Sequence, residues 1–86
     1  MVLHIGGDTM IFTCDIIIIL DRMSMLSTSK NREIIKRAQK EGRLIGSINE
    51  ASSFLITQKQ GSEIIYCSPI SSHTLEKRTQ KKFTVA

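Results

Sequence analysis

The sequence predicts an α+β domain: a small, mostly antiparallel sheet of about six strands with two helices, in the order β-β-β-α-β-β-β-α. Three observations predict it. Isoleucine occurs 14 times, gathered in short runs, and its branched Cβ favours extended backbone. One stretch, residues 30–41, switches to a 3.6-residue apolar period. Short joints rich in Gly, Ser, Asn or Pro separate the runs, as neighbouring antiparallel strands require.

The first strands are residues 2–5 and 10–13, joined by Gly6-Gly7-Asp8-Thr9. Gly supplies the positive φ of a tight hairpin turn and Gly-Asp is a favoured turn pair, so the joint reads as a hairpin. A phosphate-cradling loop would need the longer G-x-x-x-x-G-K-[ST] or G-x-G-x-x-G spacing, which is missing here. Residues 15–21 form a third strand with apolar residues on both faces, expected at the centre of the sheet under a helix. Its apolar part, residues 16–20, is far shorter than the roughly 20 residues of a membrane-spanning helix. Residues 22–29 read as a loop, in which Met23, Met25 and Leu26 are either a subunit contact or a flap over the core.

In the helix, Ile34, Ile35 and Ala38 share one face and Glu33, Lys36, Arg37 and Lys40 the opposite one. Thr28 or Ser29 caps its start, and Gly42 stands at the left-handed position beyond its end. Glu33 and Arg37, and Arg37 and Glu41, are four apart and expected to pair, neutralising part of the charged face. Three more strands follow at residues 43–48, 53–58 and 63–68, the last two joined by the hairpin loop Lys59-Gln60-Gly61-Ser62. Ser68-Pro69-Ile70-Ser71-Ser72 ends the sheet and supplies a serine cap for a final helix over residues 73–82. On a helical wheel Lys77, Arg78, Lys81 and Lys82 fall on one arc, and Leu75, Thr79 and Phe83 on its neighbour. This helix is therefore expected to dock by the second arc and expose the first. Lys81 and Lys82 also suit the negative end of the helix dipole.

Composition narrows the function. The chain has 86 residues, 12 Lys+Arg against 8 Asp+Glu, and a formal charge of +4; 41% of it is apolar and 23% charged. Collagen, coiled coil and wholesale disorder do not fit these fractions. One domain without a linker is expected, too short for most enzyme architectures. It has no disulfide framework to supplement a small core, which points to shared apolar surface between subunits. Cys14 and Cys67 lie in apolar, strand-like runs without C-x-x-C or zinc spacing, as in a reduced cytosolic chain. The residues before Ile16 include Asp8 and Asp15 and no Lys or Arg, unlike a secretory signal, so the expected location is the cytoplasm.

Charge is uneven along the chain. Residues 1–27 carry −2, residues 28–50 carry +3, and residues 51–86 carry +3. An anionic partner is thus expected to meet the later two-thirds. Catalysis is poorly supplied: two histidines, two cysteines, and no nucleophile, metal or cofactor motif, so neither metal nor cofactor is expected. His4 and His73 are assigned packing or surface roles. Phe12, Phe54 and Tyr66 lie in strands and are expected in the core, which leaves no platform for stacking single-stranded bases. Duplex DNA, held through its phosphates, fits better, with Lys36, Arg37, Lys40, Arg43, Lys77, Arg78, Lys81 and Lys82 as the candidate contacts.

Three stretches carry a family resemblance: Leu3-His4-Ile5-Gly6-Gly7-Asp8, Thr13-Cys14-Asp15-Ile16-Ile17, and Ile64-Ile65-Tyr66-Cys67-Ser68-Pro69-Ile70-Ser71-Ser72-His73-Thr74-Leu75-Glu76-Lys77-Arg78. From about Val2 to Phe83 the chain resembles the RemA/RemB family of bacterial extracellular-matrix regulators, the RemB branch most closely. The last stretch is the most specific, whereas residues 22–49 match only in pattern. The resemblance implies a small DNA-binding transcriptional activator of biofilm-matrix genes in spore-forming Gram-positive bacteria. In the RemA branch it also implies a ring-shaped homo-oligomer that presents DNA-binding arginines repetitively. This chain departs from that pattern at two places. Cys14 and Asp15 stand where the family has arginine, and Asn49-Glu50-Ala51-Ser52-Ser53 replaces a loop that bears a basic pair. DNA contact then has to rest on the two basic helix faces. The other reading is an adaptor module that oligomerises, with itself or a paralogue, and leaves DNA to its partner.

Overall fold

In a strand, Ser53, Phe54, Leu55, Ile56 and Thr57 point alternately to two faces, and here both faces are covered. Phe54 packs with Leu20, Met25, Ile35, Ala38, Ala51 and Ile65, and Leu55 packs with Leu3, Ile5, Ile11, Ile16, Ile19 and Leu75. A sheet with a core on each side makes three layers. The computed structural model describes residues 1–79. Its elements are β1 (Val2–Gly6), β2 (Thr9–Phe12), a 3-10 turn (Thr13–Asp15), β3 (Ile16–Asp21), α1 (Arg22–Leu26), α2 (Ser29–Lys40), β4 (Leu44–Ile45), β5 (Ser53–Lys59), β6 (Ser62–Ser68) and α3 (Ser72–Thr79).

The α+β class stands, but the six strands form two sheets rather than one. The β1–β2 hairpin is a sheet of its own and, with α3, covers one face of a four-stranded sheet of order β3-β5-β6-β4. The pair α1–α2 covers the other face. The reason is burial: Leu3, Ile5 and Ile11 form one apolar side of the hairpin, which lies flat on the larger sheet instead of extending its edge.

Four further expectations are corrected. The third strand lies at the edge of its sheet, not at its centre, and a bulge between Ile16 and Ile18 turns Ile17 outward, 51% exposed. The segment after it holds a short helix, α1, because the Asp21 carboxylate accepts from Ser24 N at 2.6 Å and starts a helical turn. The strand expected over residues 43–48 is only Leu44–Ile45 and runs parallel to β6. Gly46, at φ +103, turns the chain away there, where any Cβ would sit 2.9 Å from Cys67 O. Cys14 lies in the 3-10 turn and is exposed.

Other elements follow their signals. In α2, Thr28 accepts from Asn31 N at 3.1 Å, Ile35 and Ala38 are buried, and Gly42 has φ +74. In α3, Ser71 Oγ accepts from Thr74 N at 3.2 Å, and Leu75 and Thr79 are buried while Lys77 and Arg78 are exposed. Lys81, Lys82 and Phe83 lie outside the described residues. The β5–β6 hairpin turns through Gln60 and Gly61, both at positive φ, as tight two-residue hairpin turns demand.

Candidate nucleic-acid interface

Helix α2 carries Lys30, Arg32, Lys36, Arg37 and Lys40 against one acidic residue, Glu33, and all six are exposed. The pairs expected along the helix do not form among the described residues. Glu41 instead turns to Arg43, whose Nη2 is 2.6 Å from Glu41 Oε1 and whose Nη1 is 3.6 Å from Glu63 Oε1. Arg43 also donates to Glu63 O at 3.2 Å. Two carboxylates therefore occupy Arg43, while Lys36, Arg37 and Lys40 keep their charge toward solvent without an ion pair.

The second basic group lies elsewhere. Lys77 and Arg78 are on α3, which packs through Leu75 onto the hairpin side of the sheet, whereas Ile35 and Ala38 anchor α2 on the opposite side. One chain thus presents two separate basic surfaces, not one continuous patch. Arg78 is in part engaged, donating to His4 O at 3.3 Å.

Arg22 and Arg32 escaped the sequence reading. Arg22 turns inward and donates to Ile48 O at 2.5 Å and Ala51 O at 2.8 Å, clamping the loop before β5 from within. Arg32 donates to Leu26 O at 2.8 Å and ties α2 to α1. Lys30 and Arg32 were legible as part of the same amphipathic helix, since the charged face begins one turn before Lys36. Nothing in the sequence marks Arg22 as a loop clamp.

Phe12 departs from its expected place in the core: it is 51% exposed, with Lys59 Nζ 5.2 Å from its ring centroid. Phe12, Asp15, Lys59 and Tyr66 line a shallow cavity of about 140 Å³ between the hairpin and the end of the β5–β6 ribbon. Asp15 accepts a weak bond from Cys14 Sγ at 3.7 Å. Among the described residues no group of three or more His, Cys, Asp or Glu side chains is placed to hold a metal ion. No described helix is long and apolar enough to cross a membrane. His4 Nε2 lies 2.6 Å from Gly7 O and so braces the first turn.

A model of the RemA-like family, extracellular matrix regulatory protein A-like, matches residues 2–79. Extracellular matrix regulatory protein B of Bacillus subtilis (strain 168) is 32% identical over 85 residues, covering 99% of this chain and 98% of the relative. The chain belongs to the RemA-like family. Its family is thus one of regulatory proteins rather than of enzymes.

The two departures of this RemA-like chain have a structural setting. Cys14, exposed, and Asp15, half-buried, lie in the 3-10 turn between β2 and β3 and put an acidic residue where the family resemblance places arginine. In the other loop Asn49, Glu50 and Ser52 are exposed and Ala51 is buried. Its cation, Arg22, reaches it from beneath and is spent on two carbonyls.

Proposed function

We propose that this RemA-like protein is a non-catalytic, oligomeric regulator of extracellular-matrix genes that acts in the cytoplasm and binds duplex DNA through phosphates. The observation that carries the reading is the exposed row on α2, in which Lys36, Arg37 and Lys40 are free of ion pairs among the described residues. Lys77 and Arg78 add a second surface, and Lys81 and Lys82 extend it in sequence. Arg43 contributes less because Glu41 and Glu63 already compensate it. Phosphate contacts position a protein on DNA without reading sequence. A modest charge per chain then becomes effective by repetition in an oligomer.

The test is an anisotropy titration of labelled duplex DNA over a range of salt. Each phosphate contact made by one chain steepens the fall of log K with log salt by about 0.9. Reversing Lys36, Arg37 and Lys40 to Glu is expected to abolish binding with the fold intact. Absence of salt-sensitive binding in the parent protein overturns the reading. The adaptor alternative draws support from Asp15 and from the uncharged or acidic surface of the loop before β5. It is favoured if the reversal leaves DNA affinity unchanged.

A further inference from the structure

The cavity of about 140 Å³ beside β2 takes no residue from α2 or α3, and its walls differ from those of an ordinary packing gap. Ile11, buried, and Ile64, half-buried, give it apolar surface, and the rings of Phe12 and Tyr66 line it as well. Two charged groups complete it, the half-buried Asp15 carboxylate and the exposed Lys59 ammonium. Among the described residues neither makes an ion pair, with the other or with any third group. Lys59 Nζ stands over the Phe12 ring instead, 5.2 Å from its centroid. Apolar walls beside a few convergent polar groups are the usual make-up of a small-molecule site. Here those groups are one anion and one cation, each open to a partner.

Strand register sets the placement of the two charges. Ile16 pairs with Thr57 across the antiparallel strands β3 and β5. Asp15, one residue before Ile16, and Lys59, two residues after Thr57, therefore lie at the same end of that strand pair. A nucleotide carries its phosphate at one end and its base edge at the other, and does not match charges set side by side. An α-amino acid does, since its ammonium and carboxylate leave the same carbon. Size limits the side chain. A protein cavity of about 150 Å³ holds a benzene molecule, so this one takes a group of up to one six-membered ring, with Phe12 and Tyr66 as aromatic walls.

We propose that this cavity binds a free α-amino acid with an apolar side chain of that size. Its carboxylate meets Lys59, which turns from the Phe12 ring to do so, and its ammonium meets Asp15. Its side chain fills the space between Ile11, Phe12, Ile64 and Tyr66. The hairpin supplies Phe12 and the β5–β6 ribbon supplies Lys59 and Tyr66, so the ligand fastens the hairpin to the larger sheet and stabilises the folded chain in step with its occupancy. None of the residues assigned to phosphate contact takes part, and the site stands or falls separately from DNA binding.

Two-dimensional NMR of the isotope-labelled protein, titrated with L-phenylalanine at pH 7, tests this. Ring-current shifts are expected at the methyl groups of Ile11 and Ile64, saturating with a Kd of about 1 mM or tighter. Removing one charge of the ligand is expected to weaken binding at least about tenfold, with 3-phenylpropionate lacking the ammonium and phenethylamine the carboxylate. L-Alanine, which keeps both charges but has no ring, is expected to bind at least about tenfold more weakly too. Lys59→Met keeps the aliphatic stem at an exposed position and is expected to lose at least about tenfold in affinity for L-phenylalanine, as is Asp15→Asn. The urea midpoint without ligand checks that each variant is folded. Absence of saturable shifts at Ile11 and Ile64 up to about 10 mM ligand overturns the proposal. So does a folded Lys59→Met protein that binds L-phenylalanine as tightly as the parent. Equal binding of 3-phenylpropionate or phenethylamine also overturns it, because the cavity would then accept a ring without regard to charge.

Discussion

Ser68 is fully buried, with its hydroxyl donating to Ile5 O at 2.6 Å and accepting from Ile70 N at 3.0 Å. Ser53, beside it in the register, donates to Ile70 O at 2.7 Å. Together they fasten the hairpin and the Ser-Pro-Ile segment to the larger sheet. Ser68→Ala leaves both an amide and a carbonyl without this partner in a dry place, and is expected to cost about 1–3 kcal/mol by urea denaturation. Burial pushes the Cys67 thiol above the ordinary 9.0, with the Arg22 guanidinium opposing the shift. Well below pH 9 the thiol is protonated in both states and contributes nothing. As pH rises past 9.0 the unfolded chain loses this proton before the folded one does, so stability falls. Replacing Cys67 with Ala is expected to flatten that fall, measured as the urea midpoint between pH 8 and 10. At pH 8 a thiol reagent is expected to label exposed Cys14 at once and Cys67 only on unfolding. At this scale the sequence was informative about residue type and poor about side. Phe54 and Phe12 look alike in their strands, yet one is fully buried and the other half exposed, because Phe12 points to the outer face of a two-stranded layer.

Helix α2 was the most legible element, since its period, cap and terminal glycine are all local features. Its Thr28 cap is worth about 1 kcal/mol, which Thr28→Ala is expected to remove in thermal or urea unfolding. For function, single reversals separate the helices. Lys36→Glu or Lys40→Glu is expected to lower the salt slope of DNA binding by about one contact, and Arg43→Glu by less, because two carboxylates already hold it. The strands were legible as strands but not in their pairing. Residues 15–21 read as a central strand because both faces are apolar, and both faces are indeed covered although the strand is at the edge. Face burial is written in side chains, whereas edge position is a matter of backbone neighbours. Helix α1 was missed because five residues give no period; its one local sign, Asp21 three positions before Ser24, is also common in turns.

Across the whole molecule, the division of charge acquires a geometry. The acidic N-terminal segment builds the hairpin on one face, and the cations of α2 lie on the other. The two basic helix faces that the sequence singled out, on α2 and α3, lie on opposite sides of the sheet. A single chain therefore cannot apply them together to one stretch of flat surface, and on the proposed reading repetition through assembly would supply the affinity. By itself the sequence determined the α+β class, most elements, the regions where both main helices are capped and the RemA-like family, since these depend on local periodicity and on residues in fixed order. Only the tertiary structure decided that the hairpin lies over the sheet instead of joining it, that β4 runs parallel, that Arg22 serves the fold and that the basic groups face apart. Those outcomes depend on which distant backbones and faces meet, and no local pattern carries that information.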